Sequence, residues 1–348
     1  MPHYISAQLT PFIGRDAEIA RLDGLLQQPD TRLVTVMGPG GVGKTRLALA
    51  IAEKQLERLS NRVYFVSLLT ASSWEQIALL IAETIGFTLY NDTDPKAQLF
   101  QYLHDKPMLL VLDNFEHLLE GAAFINQLLE SASQVQLIVT SRERLNLRSE
   151  VVFVVDGFQV EEWKNPAEAA ASDAVRLFIQ TARRVQVDFE LTDANLPGIF
   201  RICRIARGLP LALELAAAWI DVLSTEEIAT EIENCYEFLA TQYRDLPSRH
   251  RSLRATFDSS WKRLTAEEQN SLCRMSVFQG GFTRKAAQAV AAADVRILQS
   301  LVNKSLVQYH ETRRYEIHEL LRQFLSDALS ERGEREEVLA HYRQHYLT

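Results

Sequence analysis

Gly38-Pro39-Gly40-Gly41-Val42-Gly43-Lys44-Thr45 is the stretch that decides the fold of this chain. It fits G-x-x-x-x-G-K-[ST], the loop that wraps nucleotide phosphates. Its flanks supply the required context. Leu33-Val34-Thr35-Val36-Met37 is an apolar, β-branched run that predicts a buried strand, and Arg46 to Glu53 is rich in helix formers. Glycines let the backbone turn its N–H groups toward an anion, and a helix N-terminus adds positive potential. The pattern assigns Lys44 to the β- and γ-phosphates and the Thr45 hydroxyl to Mg²⁺. Gly38, Gly40, Gly41, Val42, Gly43 and Arg46 complete the candidate phosphate-binding set.

Working outward, strand-like runs recur with helical segments between them: Val63 to Val66, Met108 to Leu112, Gln136 to Thr140 and Val151 to Val154. With the first run they make five, which predicts an α/β fold with a parallel sheet covered by helices on both faces. Segments 74–86, 95–104 and 121–131 carry the spacing of the covering helices. From Asp173 to Leu239 only helical patterns occur, broken at Pro197 and at Gly208-Leu209-Pro210. Further helical patterns run 252–263, 265–276, 283–292 and 295–303. Two short strand candidates follow, Ser305 to Tyr309 and Arg314 to Ile317, then a helix from His318. That order predicts a winged-helix domain. The expected organisation is a nucleotide-binding domain over 10–160, a helical domain over 161–246, a winged helix over 247–332 and a helical tail over 333–348.

At 348 residues the chain has room for several cores, and its 47% hydrophobic and 24% charged content is that of a globular protein. No apolar stretch is long enough to span a bilayer and no signal-peptide pattern opens the chain. Cys203, Cys235 and Cys273 lack metal-type spacing and read as free thiols of a reducing cytoplasm. The net charge of −8 is unevenly spread. Ser248 to Arg332 holds 14 Lys and Arg against 9 Asp and Glu, a basic third on an acidic chain. That third suits either nucleic acid or the acidic remainder of its own chain.

A phosphate loop needs a carboxylate for Mg²⁺ at the end of an apolar strand, and Asp113 after Leu109-Leu110-Val111-Leu112 provides it. Asn114 follows, where many relatives of this fold have an acid that orients water; an amide positions water but takes no proton. Glu116 is the nearest acidic substitute, suited to water activation or to a solvated loop. The next strand ends Thr140-Ser141-Arg142, where Arg142 is placed to sense the γ-phosphate or to lie unpartnered on the surface.

Together these stretches resemble the STAND class of signal-transduction ATPases, in its NB-ARC type known from bacterial regulators, apoptosome proteins and plant disease-resistance proteins. Five stretches beyond the phosphate loop carry the resemblance, in the family's order, from Phe12 to about Leu329. Phe12-Ile13-Gly14-Arg15-Asp16 is similar to the element that lies against adenine and ribose. Leu109 to Asn114 and Thr140 to Arg142 match the Mg²⁺ strand and the sensor arginine. Gly208-Leu209-Pro210-Leu211-Ala212 matches the motif whose proline packs on adenine. Tyr315 to Leu320 resembles the M-H-D motif, whose histidine, here His318, contacts the β-phosphate of ADP. Asn114, Glu319 and Asp16 depart from the family pattern.

The resemblance implies an ATP/ADP-operated, Mg²⁺-dependent switch, closed with ADP, self-associating with ATP, and reset by slow hydrolysis. It also implies effector and sensor modules or partner proteins outside this chain, and the helix-prone tail from Glu331 suits the start of a repeat array. Two other readings are a DNA-binding ATPase and a small-molecule phosphotransferase. Against the first, the candidate recognition helix 295–304 is mostly apolar, whereas base reading needs several Arg, Asn or Gln on one face. Nothing in the chain suggests an acceptor pocket for the second. His318-Glu319 also begins like H-E-x-x-H, but Arg322 occupies the last position, and His341 with His345 lacks a third ligand.

Overall fold

The computed structural model describes residues 10–60, 62–90, 94–241, 251–310 and 312–347. The chain divides into two compact units. One comprises the chain through Gly38 together with Gly43–Val155; the other comprises Pro39–Val42 and Asp156–Thr348. The expected boundary at 246 and 247 lies outside the described residues.

The first unit is built on a five-stranded parallel sheet of β1 (Leu33–Met37), β2 (Val63–Ser67), β3 (Met108–Asp113), β4 (Val135–Ser141) and β5 (Glu150–Val154), in the order β2-β3-β4-β1-β5. The inner strands β1 and β3 are buried along their whole length, whereas β2 and β5 at the edges are partly exposed. This explains why the inner strands read as unbroken apolar runs. Parallel strands need crossovers. Here they include α2 (Lys44–Gln55), α3 (Gln76–Thr84), α4 (Pro95–Leu103) and α5 (Ala122–Ser131), with α1 (Asp16–Leu26) ahead of β1. Leu110, Leu112, Leu137 and Val139 of the sheet share a core with Ile77, Ile81, Ile125 and Leu128 of the helices. All strands run one way, so Met37, Asp113 and Ser141 end on one edge. Ligand sites of such sheets lie at that edge.

In the second unit α6 (Pro166–Ala171), α7 (Asp173–Val185), α8 (Leu196–Ile205), α9 (Pro210–Ala217) and α10 (Thr225–Asn234) come first. Pro197, expected as a break, sits in the first turn of α8 and opens it; a first-turn N–H has no intrahelical partner, so proline costs nothing there. Then follow α11 (Leu253–Trp261), α12 (Ala266–Arg274), α13 (Arg284–Ala291) and α14 (Val295–Asn303). An antiparallel pair comes next, β6 (Gln308–Tyr309) and β7 (Tyr315–Glu316), then α15 (Glu319–Glu331) and α16 (Arg335–Leu347). A bridge between Phe282 and Tyr315 extends the pair. Arg274 binds both Glu334 and Glu337, and Phe278 lies 5.7 Å from Tyr342, which fasten α16 to its unit.

Candidate nucleotide site

The loop after β1 turns into α2 through Gly43, whose φ of 94° lies in the left-handed region that side chains disfavour. No side chain caps this helix start, and its first turn holds no acid. The N–H groups of that turn and the aligned peptide dipoles therefore present a positive end. Lys44 is buried and its ammonium donates to the Gly38 carbonyl at 2.8 Å, which folds it over its own loop.

Asp113 is buried at the end of β3. Its Oδ1 accepts two hydroxyl bonds, from Thr45 at 2.7 Å and from Thr140 at 2.6 Å. Burial raises the Asp113 carboxyl above its usual range, the two hydroxyls oppose that rise, the Glu116 charge adds to it and Lys44 opposes it. A hydroxyl and a carboxylate side by side are hard oxygen donors. The set fits Mg²⁺, which takes one or two protein oxygens and completes its shell with phosphate and water.

Asn114 has a φ of 69°, a conformation asparagine tolerates better than most residues, and this turns the chain out of β3 into a short 3-10 turn over Phe115–His117. Its backbone N–H donates to the Thr140 hydroxyl at 2.9 Å. Its side-chain amide lies 3.1 Å from His117 Nδ1, and His117 Nε2 lies 3.1 Å from the Ala71 carbonyl. A carbonyl only accepts, so the His117 proton belongs on Nε2 and Nδ1 accepts from Asn114. Glu116 and Arg142 are brought together: Arg142 Nε is 3.1 Å from Glu116 Oε1, with side chains 4% and 6% exposed. The two residues read separately in the sequence are thus one buried ion pair.

In the segment before α1, Phe12 and Ile13 are half-buried, Gly14 is buried, and buried Arg15 donates to Glu18 at 2.7 Å. Arg46 on α2 reaches this segment. Its Nη2 donates to the carbonyls of Thr10 (2.9 Å) and Pro11 (2.6 Å), and its guanidinium lies 5.8 Å from the Phe12 ring centre.

Within the second unit, the Leu211 N–H donates to the Gly41 carbonyl at 3.1 Å. A Cβ at Gly41 would come within 2.7 Å of the Leu211 Cβ, so only glycine fits there without a shift. Pro210 sits in the first turn of α9. Gly208, with a φ of 65°, packs so close to Phe158 that a Cβ would meet its carbonyl oxygen at 2.0 Å. His318 caps α15: the Leu320 N–H donates to Nδ1 at 3.3 Å and Nε2 donates to the Ala206 carbonyl at 3.0 Å. Burial first, then the nearby Arg207 charge, push the His318 imidazole down to about 4. Arg207 itself pairs with Glu316 and donates to the Ile317 carbonyl. Thr140, His117 and Arg207 were not singled out by the sequence reading. Nothing in the Thr140-Ser141-Arg142 stretch signals the bond from Thr140 to Asp113.

The AAA ATPase domain family model matches residues 11–187. The chain belongs to that family. An uncharacterized protein of Mycobacterium tuberculosis is 34% identical over 363 residues, covering 99% of this chain and 89% of its own length. A second Mycobacterium tuberculosis protein, described as an HTH-type transcriptional regulator, is 34% identical over 326 residues, covering 90% of this chain and 36% of the regulator. TMV resistance protein N of Nicotiana glutinosa is 23% identical, over 90% of this chain and 27% of its own length. The chain therefore spans only about a third of these longer relatives. The Aeropyrum pernix ORC2 protein shares the fold, with a TM-score of 0.53 at 12% identity over 99% of this chain and 98% of that one. Among the described residues no helix is long and apolar enough to cross a membrane.

Proposed function

We propose that this chain is an adenine-nucleotide switch in a regulatory protein. ADP holds it at rest, ATP opens it toward self-association, and slow hydrolysis resets it. The observation that carries this reading is the group at one sheet edge: Lys44 folded over its loop, an α2 start that no side chain caps, and the Thr45 hydroxyl 2.7 Å from Asp113. Thr45 and Asp113 would hold Mg²⁺, which supplies charge neutralisation between the phosphates. Lys44 binds the phosphates, and Arg142 meets the third one. Phe12 to Arg15 form the adenosine side, and the proposal carries over Pro210 and His318 from the family pattern as further nucleotide contacts. Asn114 cannot accept a proton, which favours slow hydrolysis. The choice of adenine rests on the class, and no guanine-reading Asn-Lys-x-Asp sequence occurs in the chain.

Direct DNA binding through a winged helix over 247–332 is the weaker reading. α14 buries Ile297, Leu298 and Leu301, and Ser300 and the following Lys304 are tied to Glu268 of α12. Its exposed positions are Val295, Arg296 and Gln299, too few polar groups to read several bases.

The test is to denature freshly purified protein and identify the released nucleotide by chromatography. Stoichiometric ADP is expected. Protein that releases none, and that fails to take up ADP with Mg²⁺ on titration, would refute the switch.

A further inference from the structure

We propose that Glu116 sets the balance between nucleoside di- and triphosphate by holding the guanidinium of Arg142 in a buried ion pair. The inference rests on the reading above, in which Arg142 meets the third phosphate. Arg142 follows the end of β4, and Glu116 lies in the turn after β3, three residues beyond Asp113. Their charged atoms are 3.1 Å apart and both side chains are almost sealed from water. Attraction in such a setting is strong, and separating the partners leaves a desolvated charge on each.

A γ-phosphate competes with Glu116 for the same guanidinium. To meet it, Arg142 must leave the carboxylate or share its donors, and the carboxylate itself then stands near a polyanion. Both effects weaken the triphosphate complex. The diphosphate places nothing at that position and leaves the pair intact. A ligand shifts a two-state protein only by its differential affinity for the two states. Glu116 thus biases the resting chain toward the diphosphate without contacting it. This differs from water activation, which needs a carboxylate open to a water proton rather than one placed against a guanidinium.

The experiment uses the full chain with ADP and with a non-hydrolysable ATP analogue, titrated calorimetrically in Mg²⁺. Wild-type binding of ADP is measured first; its absence would count against the switch itself, before Glu116 is at issue. Glu116→Gln is expected to raise the affinity ratio of analogue over ADP about tenfold. The double variant Glu116→Gln with Arg142→Gln is expected to abolish that gain, because the freed guanidinium is what produces it. An unchanged ratio in Glu116→Gln overturns the proposal. So does a gain that persists in the double variant, which would reflect only the removal of a negative charge. If Glu116→Gln does not fold, Glu116→Asp shortens the reach while keeping the charge. The ratio should then rise in the same direction, and an unchanged ratio overturns the proposal equally. Single-turnover hydrolysis lost in Glu116→Gln at an unchanged ratio would assign Glu116 to water activation instead.

Discussion

Two helix starts in this molecule are built to opposite ends. α2 begins at Gly43, a residue with no side chain to offer its N–H groups, and the next two positions are Lys44 and Thr45. α15 begins at His318, whose imidazole accepts from the Leu320 N–H and donates to the Ala206 carbonyl. Both starts carry the same partial positive charge. One is satisfied by the chain's own side chain and is thereby committed to holding protein together. The other leaves capping to something that is not a side chain, in a loop whose lysine and hydroxyl suit phosphate and Mg²⁺. A histidine cap also spends both ring nitrogens on backbone. In this arrangement His318 has to release one of them before it can reach a phosphate.

The largest effect should come from the open start. Lys44→Ala removes the one ammonium in the loop, together with its bond to the Gly38 carbonyl. ADP affinity is expected to fall about a hundredfold or more, while the thermal midpoint of the nucleotide-free chain stays close to that of wild type. Calorimetric titration with Mg²⁺ present measures the first and a melting curve the second. Retained affinity would mean that the α2 start is not the phosphate site, and the contrast between the two helices would lose its meaning.

The closed start predicts a stability effect instead. His318→Ala removes a cap and a bond between α15 and the residue after α8, and should cost the second unit about 2 kcal/mol in urea unfolding. Its pH dependence has a defined sign. With the folded-state value near 4 and the ordinary one at 6.5, the neutral ring is the folded form. Its stabilisation is present in full above pH 6.5 and is lost as pH falls toward 4. The charged groups facing the ring are Arg207, Glu316 and Glu319, and His310 in turn pairs with Glu316. Urea midpoints between pH 4 and 7 should therefore be less acid-sensitive in His318→Gln than in wild type. Parallel pH profiles would show that the ring titrates normally and that its cap is loose.

Much of this was legible in the sequence, and the reason is local. Buried parallel strands carry continuous apolar runs, so all five strands were expected within a residue or so of their observed ends, and Asp113 fell at a strand terminus. What the sequence could not show depends on which strand lies beside which. Thr140 reaches Asp113 only because β3 and β4 are neighbours. The sequence suits Glu116 to water activation or a solvated loop, and Arg142 to sensing the γ-phosphate or lying unpartnered on the surface. The same adjacency joins them in a buried pair. The break expected at Pro197 falls at the start of α8, where proline sits in the first turn and gives up no intrahelical bond. The resemblance implies a phosphate contact for His318, whereas its side chain here caps α15. The phosphate contact stays with the proposed switch.

The smallest expected effect sharpens the comparison from within α2. Arg46 lies in the first turn of α2, behind the glycine-rich loop, yet its Nη2 donates to the Thr10 and Pro11 carbonyls and its guanidinium lies near Phe12. It therefore acts on the proposed adenosine side by fixing a segment, while the loop ahead of it handles phosphate. Arg46→Ala should weaken ADP about tenfold through loss of two charge-assisted bonds and a ring contact, yet weaken pyrophosphate by no more than about threefold. Arg46→Lys, which keeps one donor group and the charge, should recover part of the loss. Competition titrations with the two ligands measure the split. An equal loss for both would place Arg46 on the phosphates directly, and would make the whole first turn of α2 part of the anion site rather than its forward end alone.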